Sequence, residues 1–178
     1  MNSYSHYMVN EHRFTLLVLS AFAFAIQVHA ETCHCRVIGV SDGDTITVLD
    51  STNTQHKVRL SGIDAPEKSQ PFGQRAKQSL SDLVFGKAVT VETTKRDRYG
   101  REVGKVLAGG LDVNLEQVRR GLAWHYKAYE REQPAADRTT YSTAEQEARA
   151  ARIGLWTDPI PLPPWEFRHQ PRRSSVED

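Results

Sequence analysis

Apolar and polar residues alternate along residues 36–49, and the alternation breaks once, at Ser41-Asp42-Gly43-Asp44. A period of two is that of a half-buried strand. The segment therefore predicts two strands, rich in Val, Ile and Thr, around a turn. Residues 56–61, 88–94 and 102–107 predict three more strands. Asp50-Ser51-Thr52-Asn53-Thr54 is a loop by composition, and Asp97-Arg98-Tyr99-Gly100 is a hairpin turn with Gly100 available for positive φ. Three stretches predict helices. Residues 71–84 begin with Pro71 and run toward Gly86. Residues 115–120 follow Asn114 as N-cap, with Gln117 three residues on and Gly121 as the stop. Residues 143–152 follow Ser142, which with Glu145 has the spacing of a capping box, and end at Gly154. Leu155-Trp156 should then fold back onto the core.

Five short strands interspersed with three helices suggest a small closed barrel with helices packed on it, and a barrel of the OB type has that strand count. Beyond Trp156 the prolines Pro159, Pro161, Pro163 and Pro164 predict extended chain rather than helix, with Trp165 and Phe167 available to pin it. Residues 171–178 have nothing to bury and are expected to be disordered. The division is thus 1–30, 31–158 and 159–178: a leader, one domain and a Pro-rich extension.

The leader is read from Arg13, the apolar run from Phe14 to Ile26, and Val28-His29-Ala30 ahead of Glu31. These are the parts of a signal peptide, and the run is short for a bilayer span. An uncleaved N-terminal anchor is the alternative. Either way the expectation is an exported protein, periplasmic or extracellular. With 23 basic and 22 acidic side chains the formal charge is only +1, so no global cationic field draws in polyanions and any such site must be local. Cys33 and Cys35 are the only cysteines. Structural zinc needs four ligands, usually from two clusters, and there is no second cluster. A disulfide across one residue is expected to be strained. The pair reads as edge-strand cysteines open to oxidation after export.

The chemistry lies in Asp42-Gly43-Asp44-Thr45, in Arg59 to Glu67 and in Arg98-Tyr99-Gly100-Arg101. Carboxylates suit a hard cation, and two arginines suit a phosphate. Together they are the parts of a metal-assisted phosphodiesterase. Asp42 and Gly43 read simply as the turn, and Trp124 and Trp156 as core.

The same blocks, with Asn114 to Ala123 and Glu145 to Trp156, resemble the micrococcal (staphylococcal) nuclease family in order and spacing. The resemblance implies a mainly β fold, a five-stranded OB-fold barrel packed by three α-helices. It implies one Ca²⁺ and hydrolysis of DNA and RNA at the bond between phosphorus and the 5′ oxygen, leaving 3′-phosphates. Asp44 and Asp64 match the metal carboxylates. Ala65 stands where the family offers a main-chain carbonyl and its common members have Thr. Glu67 matches the general base, and Arg59 and Arg101 match the phosphate-binding arginines. Tyr129 matches a substrate-contacting tyrosine. Tyr126 and Lys127 complete an aromatic and cationic cluster suited to bases and phosphate, although the best-known member has a tyrosine where Lys127 stands. Arg98 is a further substrate-binding candidate. No stable protein partner is implied, and a monomer is expected. The alternatives are a catalytically dead module of this fold that binds nucleic acid or protein, and an OB-fold binder of oligosaccharide or peptide.

Overall fold

Alternating inward positions give the strands one apolar face, and register shifts at residues 37–39 and 93–95 bend the sheet around it. The computed structural model describes residues 31–170; the expected leader and the expected disordered tail lie outside the described residues. In chain order the elements are β1 (Glu31–Val40), β2 (Thr45–Leu49), β3 (Gln55–Leu60), β4 (Ile63–Asp64), α1 (Gly73–Val84), β5 (Ala88–Arg96), β6 (Glu102–Ala108), β7 (Leu111–Asp112), α2 (Val113–Arg119), β8 (Trp124–His125), α3 (Ala135–Ala150) and the single-turn α4 (Pro164–Phe167). Short 3-10 turns at Lys127–Glu132 and Gly154–Thr157 flank α3.

β3, β2, β1, β5 and β6 follow one another as antiparallel neighbours. β3 then pairs in parallel with β6, Val58 beside Glu102 and Leu60 beside Gly104, and the five-stranded barrel is closed. Closure removes both free edges. Ile46, Val48, Val58, Val91 and Val106 fill the interior, and Ala76, Leu80 and Val84 of α1 seal it. A second apolar cluster joins Trp124, Ala148, Leu155 and Trp156, with Phe72 and Trp165 packed against it.

Several local expectations are corrected. α2 starts earlier than expected, because Asp112, not Asn114, is its N-cap and accepts from the Leu115 N–H. α3 starts at Ala135 behind Pro134, so Ser142 is mid-helix and caps nothing. Glu145 instead turns inward and accepts the His125 N–H at 3.0 Å. The proline-rich extension is not wholly extended, since Pro164 opens the turn of α4. Cys33 and Cys35 form a disulfide on the first half of β1, which pairs with β5 on one side only, since β2 joins β1 from Arg36 onward. Positions two apart on a strand share a face, and their Cα atoms are 5.6 Å apart, within the usual disulfide range. Among the described residues no helix is long and apolar enough to cross a membrane.

Candidate active site

The turn between β1 and β2 is held from beneath by polar side chains. A Cβ on Gly43 would lie 2.6 Å from that of Ala76 and 2.7 Å from that of Ala65, so only glycine lets the turn nest against α1. Buried Gln117 on α2 donates to the carbonyls of Gly43 at 2.9 Å and Ala76 at 3.0 Å, and accepts from the Ser79 hydroxyl at 2.7 Å. Asn114 acts similarly: it donates to the Ser61 and Gly104 carbonyls and accepts the Val106 N–H. These two amides join α2 to the β1–β2 turn and to the end of β3, the segments that carry the site.

Asp44 leaves that turn pointing inward, 5% exposed. Its Oδ1 accepts from the Thr45 hydroxyl and its Oδ2 from the Ala65 N–H at 2.7 Å. Asp64, on β4 and 1% exposed, faces it across the Arg59 fork. Arg59 Nη1 lies 2.8 Å from Asp44 Oδ2, and Nη2 2.9 Å from Asp64 Oδ1. One planar guanidinium thus joins both acids. Burial pushes the Asp44 carboxyl up to about 7; Arg59 opposes the rise, repulsion from Asp42 and Asp64 adds to it, and the Ala65 N–H lowers it.

Glu67 follows Pro66 in a tight turn. Its N–H donates to Gln70 Oε1, and its carbonyl accepts from the Gln70 N–H. Its carboxylate is partly exposed and is paired with Arg168, whose Nη1 lies 2.8 Å from Glu67 Oε1. Arg168 also reaches Asp64: Nη2 to Oδ2 at 2.7 Å and Nη1 to Oδ1 at 3.2 Å. These contacts raise the already high pKa of its guanidinium, with the Asp64 hydrogen bonds contributing most.

All of this opens into one groove of about 920 Å³, lined by Asp44, Arg59, Asp64, Ala65 and Glu67 and by Arg98, Arg101, Tyr126, Tyr129 and Arg168. Arg101 stands at the β5–β6 hairpin with its Nε 2.7 Å from Asp97 Oδ2. Arg98 and Arg101 both lie over the exposed Tyr99 ring. Tyr126 and Tyr129 meet edge to face at 5.1 Å, and the Lys95 ammonium lies 5.0 Å from the Tyr129 ring centre. Lys127 is the expected site residue that the structure does not bring to the groove. Its ammonium is held 2.6 Å from His125 Nδ1 and 3.1 Å from Glu145 Oε2. A shallower hollow of about 460 Å³ over β1 and β5, beside Cys35 and Val89, gathers no comparable chemistry.

The donors offered to a cation are carboxylate oxygens, as a hard divalent ion prefers. Asp44 and Asp64 line the same groove beside Glu67 and the Ala65 main chain, so their oxygens open on one space. The residues therefore fit a Ca²⁺-class ion. Among the described residues no three His, Cys, Asp or Glu side chains form a ready-made cage, so main-chain oxygen and water would complete the coordination. Sequence reasoning missed Arg168, which has no local pattern to mark it. It also missed the pillar roles of Asn114 and Gln117, whose positions in a short helix read as capping.

A closed five-stranded barrel with paired aspartates, a glutamate and arginines in one groove defines an OB-fold protein with a phosphodiesterase-type site. Residues 57–158 match the family described as Staphylococcal nuclease homologue, and the chain belongs to that family. It is 41% identical over 171 residues to a Haemophilus influenzae protein named as an uncharacterized endonuclease, covering 96% of this chain and 93% of the relative. A similarly named protein from Escherichia coli O157:H7 is 42% identical over 85% of this chain and 95% of its own length. The micrococcal nuclease of Shigella flexneri is 41% identical over 79% of this chain and 83% of its own.

Proposed function

We propose that this protein is an exported, Ca²⁺-dependent nuclease that hydrolyses phosphodiester bonds of DNA and RNA and leaves 3′-phosphate ends. The observation that carries the reading is the shared groove: two buried aspartates bridged by Arg59, with Glu67 and Arg101 opening on the same space. Family membership and relatives named endonuclease and micrococcal nuclease support it.

Asp44, Asp64 and the main-chain carbonyl of Ala65 would hold the ion. Such an ion, when bound, offsets phosphodiester charge and favours the attacking water. Glu67 accepts the proton of that water at its carboxylate, which the Pro66–Gln70 turn presents to the groove, as the water oxygen bonds to phosphorus, the bond to the 5′ oxygen breaks and that oxygen takes a proton from solvent. Arg59 and Arg101 donate N–H groups to the non-bridging phosphate oxygens as these gain charge. Arg98 holds the phosphate chain farther along, and Tyr126 and Tyr129 offer ring faces to bases.

Purified mature protein should be incubated with DNA and with RNA, each with Ca²⁺, Mg²⁺ or a chelator, and the product ends identified. Ca²⁺-supported cleavage to 3′-phosphates, abolished in Asp64→Ala, is the expected result. Binding of either nucleic acid without cleavage under every condition would favour the dead-module alternative.

A further inference from the structure

The C-terminal segment returns to the groove from outside the barrel. Trp165 stacks on Tyr126 with ring centres 5.6 Å apart and meets Trp124 edge to face at 5.4 Å. The Gln70 amide donates to the Leu162 carbonyl, and Pro164 is buried. α4 is thereby fixed, and Arg168 at its end reaches Asp64 and Glu67 together.

Asp64 has two carboxylate oxygens, and both are engaged. Oδ1 faces Arg59 and Arg168, and Oδ2 faces Arg168 at 2.7 Å. A divalent ion sits about 2.3–2.6 Å from its carboxylate oxygens. It cannot share the same lone pairs with a guanidinium nitrogen, and the two cations repel at that separation. At the Arg59–Arg168 end of the groove, Asp44, Asp64 and Glu67 are paired, among the described residues, with these two guanidiniums alone and Asp42 lies beside them, so this cluster attracts positive charge from either source.

We propose that Arg168 is a built-in latch that competes with the divalent cation for Asp64 and, while it is seated there, also ties up Glu67. The C-terminal strap would then set the metal affinity of the site, and cation binding would free both the guanidinium and the Glu67 carboxylate. The inference rests on Asp64 and Glu67 being the cation and base carboxylates. Arg168 stabilises the protein without metal and weakens its hold on metal.

The test is calorimetric titration of the full mature chain with Ca²⁺ alone, alongside Arg168→Gln and Lys95→Gln. Lys95 lines the same groove but pairs with Glu132, so its variant reports the general field. Arg168→Gln should bind Ca²⁺ about tenfold tighter, the scale of one lost charge-assisted contact. Lys95→Gln should change affinity by no more than about twofold, since exposed charges are screened. In chelator the Arg168→Gln variant should melt about 2–5 °C below wild type, and saturating Ca²⁺ should remove the deficit. Unchanged or weaker binding in Arg168→Gln, equal gains in both variants, or a melting deficit that persists in Ca²⁺ would each overturn the latch. No nucleic acid is present, so these outcomes are separate from success or failure of the cleavage assay.

Discussion

Gln117 donates its amide to the carbonyl of Gly43 across 2.9 Å, although 74 residues separate them. That contact fixes the turn from which Asp44 enters the groove. Gln117→Leu keeps the bulk but leaves buried polar groups of Gly43, Ala76 and Ser79 short of a partner. A loss of about 1–3 kcal/mol is expected. Cleavage at limiting Ca²⁺ should fall further than at saturating Ca²⁺, because the displaced element carries Asp44. Denaturant melts with a Ca²⁺ titration of activity check this; a stability loss with an unchanged Ca²⁺ requirement would remove the link between pillar and turn.

Arg59 and Arg101 should differ in how they respond to lysine. Each change should lower the rate by about 10²-fold, the scale of one lost preorganised donor, because lysine keeps the charge and loses the fork. Arg59→Lys should also lower the melting temperature in chelator, since Arg59 bridges two buried acids. Arg101→Lys should not, since its partner Asp97 lies at a partly exposed hairpin. Near-wild-type rates in both variants would show that planar two-point contact is not what the reaction needs.

Tyr129 is 49% exposed and touches Tyr126 and Lys95 rather than the core. Tyr129→Ala should therefore melt close to wild type. KM should rise more than kcat falls, by a few-fold to about a hundredfold if one base stacks there at roughly 1–3 kcal/mol. The rise should be larger on single strands, whose bases are free. An unchanged KM on single-stranded substrate would take Tyr129 out of the base site.

His56 ties the end of the barrel together, with Nε2 2.9 Å from Asp50 Oδ2 and Nδ1 2.9 Å from Glu102 Oε1. The hydrogen bond to Asp50 is the main cause of a raised imidazole pKa; burial opposes it and Glu102 adds to the rise. A raised folded-state value means the stabilisation is full below the unfolded value, about 6.5, and is lost as pH climbs through the folded one. His56→Gln should thus cost up to about 1 kcal/mol at pH 6 and progressively less toward pH 9. Melts across that range read the difference; a penalty that grows with pH would reverse the assignment.

The strands were legible because each obeys a local rule. Ile46 and Val48 alternate inward on β2, Val89 and Val91 on β5, and the pleat alone requires that spacing. Asp44, Arg59, Asp64 and Glu67 could be read together because one β-hairpin joins their two segments, and the open groove on the closed barrel does gather them with Arg101. Local rules also misled. Ser142-x-x-Glu145 has capping-box spacing, yet the helix already begins at Ala135, and Glu145 goes to the His125 N–H and the Lys127 ammonium. Lys127 lies between two groove tyrosines in sequence, but a 3-10 turn directs it to that partner instead.

What the chain determined by itself was therefore everything set by periodicity, turn chemistry and near-neighbour spacing: the barrel strands, the acidic turn and the arginine hairpin. What only the tertiary structure decided were contacts across long separations. Asn114 and Gln117 became pillars because barrel closure buried them against carbonyls needing donors. Arg168 reached Asp64 across 104 residues because Trp165 found a ring to stack on. No short-range pattern encodes such a meeting, since its stabilisation exists only once the barrel, the tyrosine and the strap are all in place.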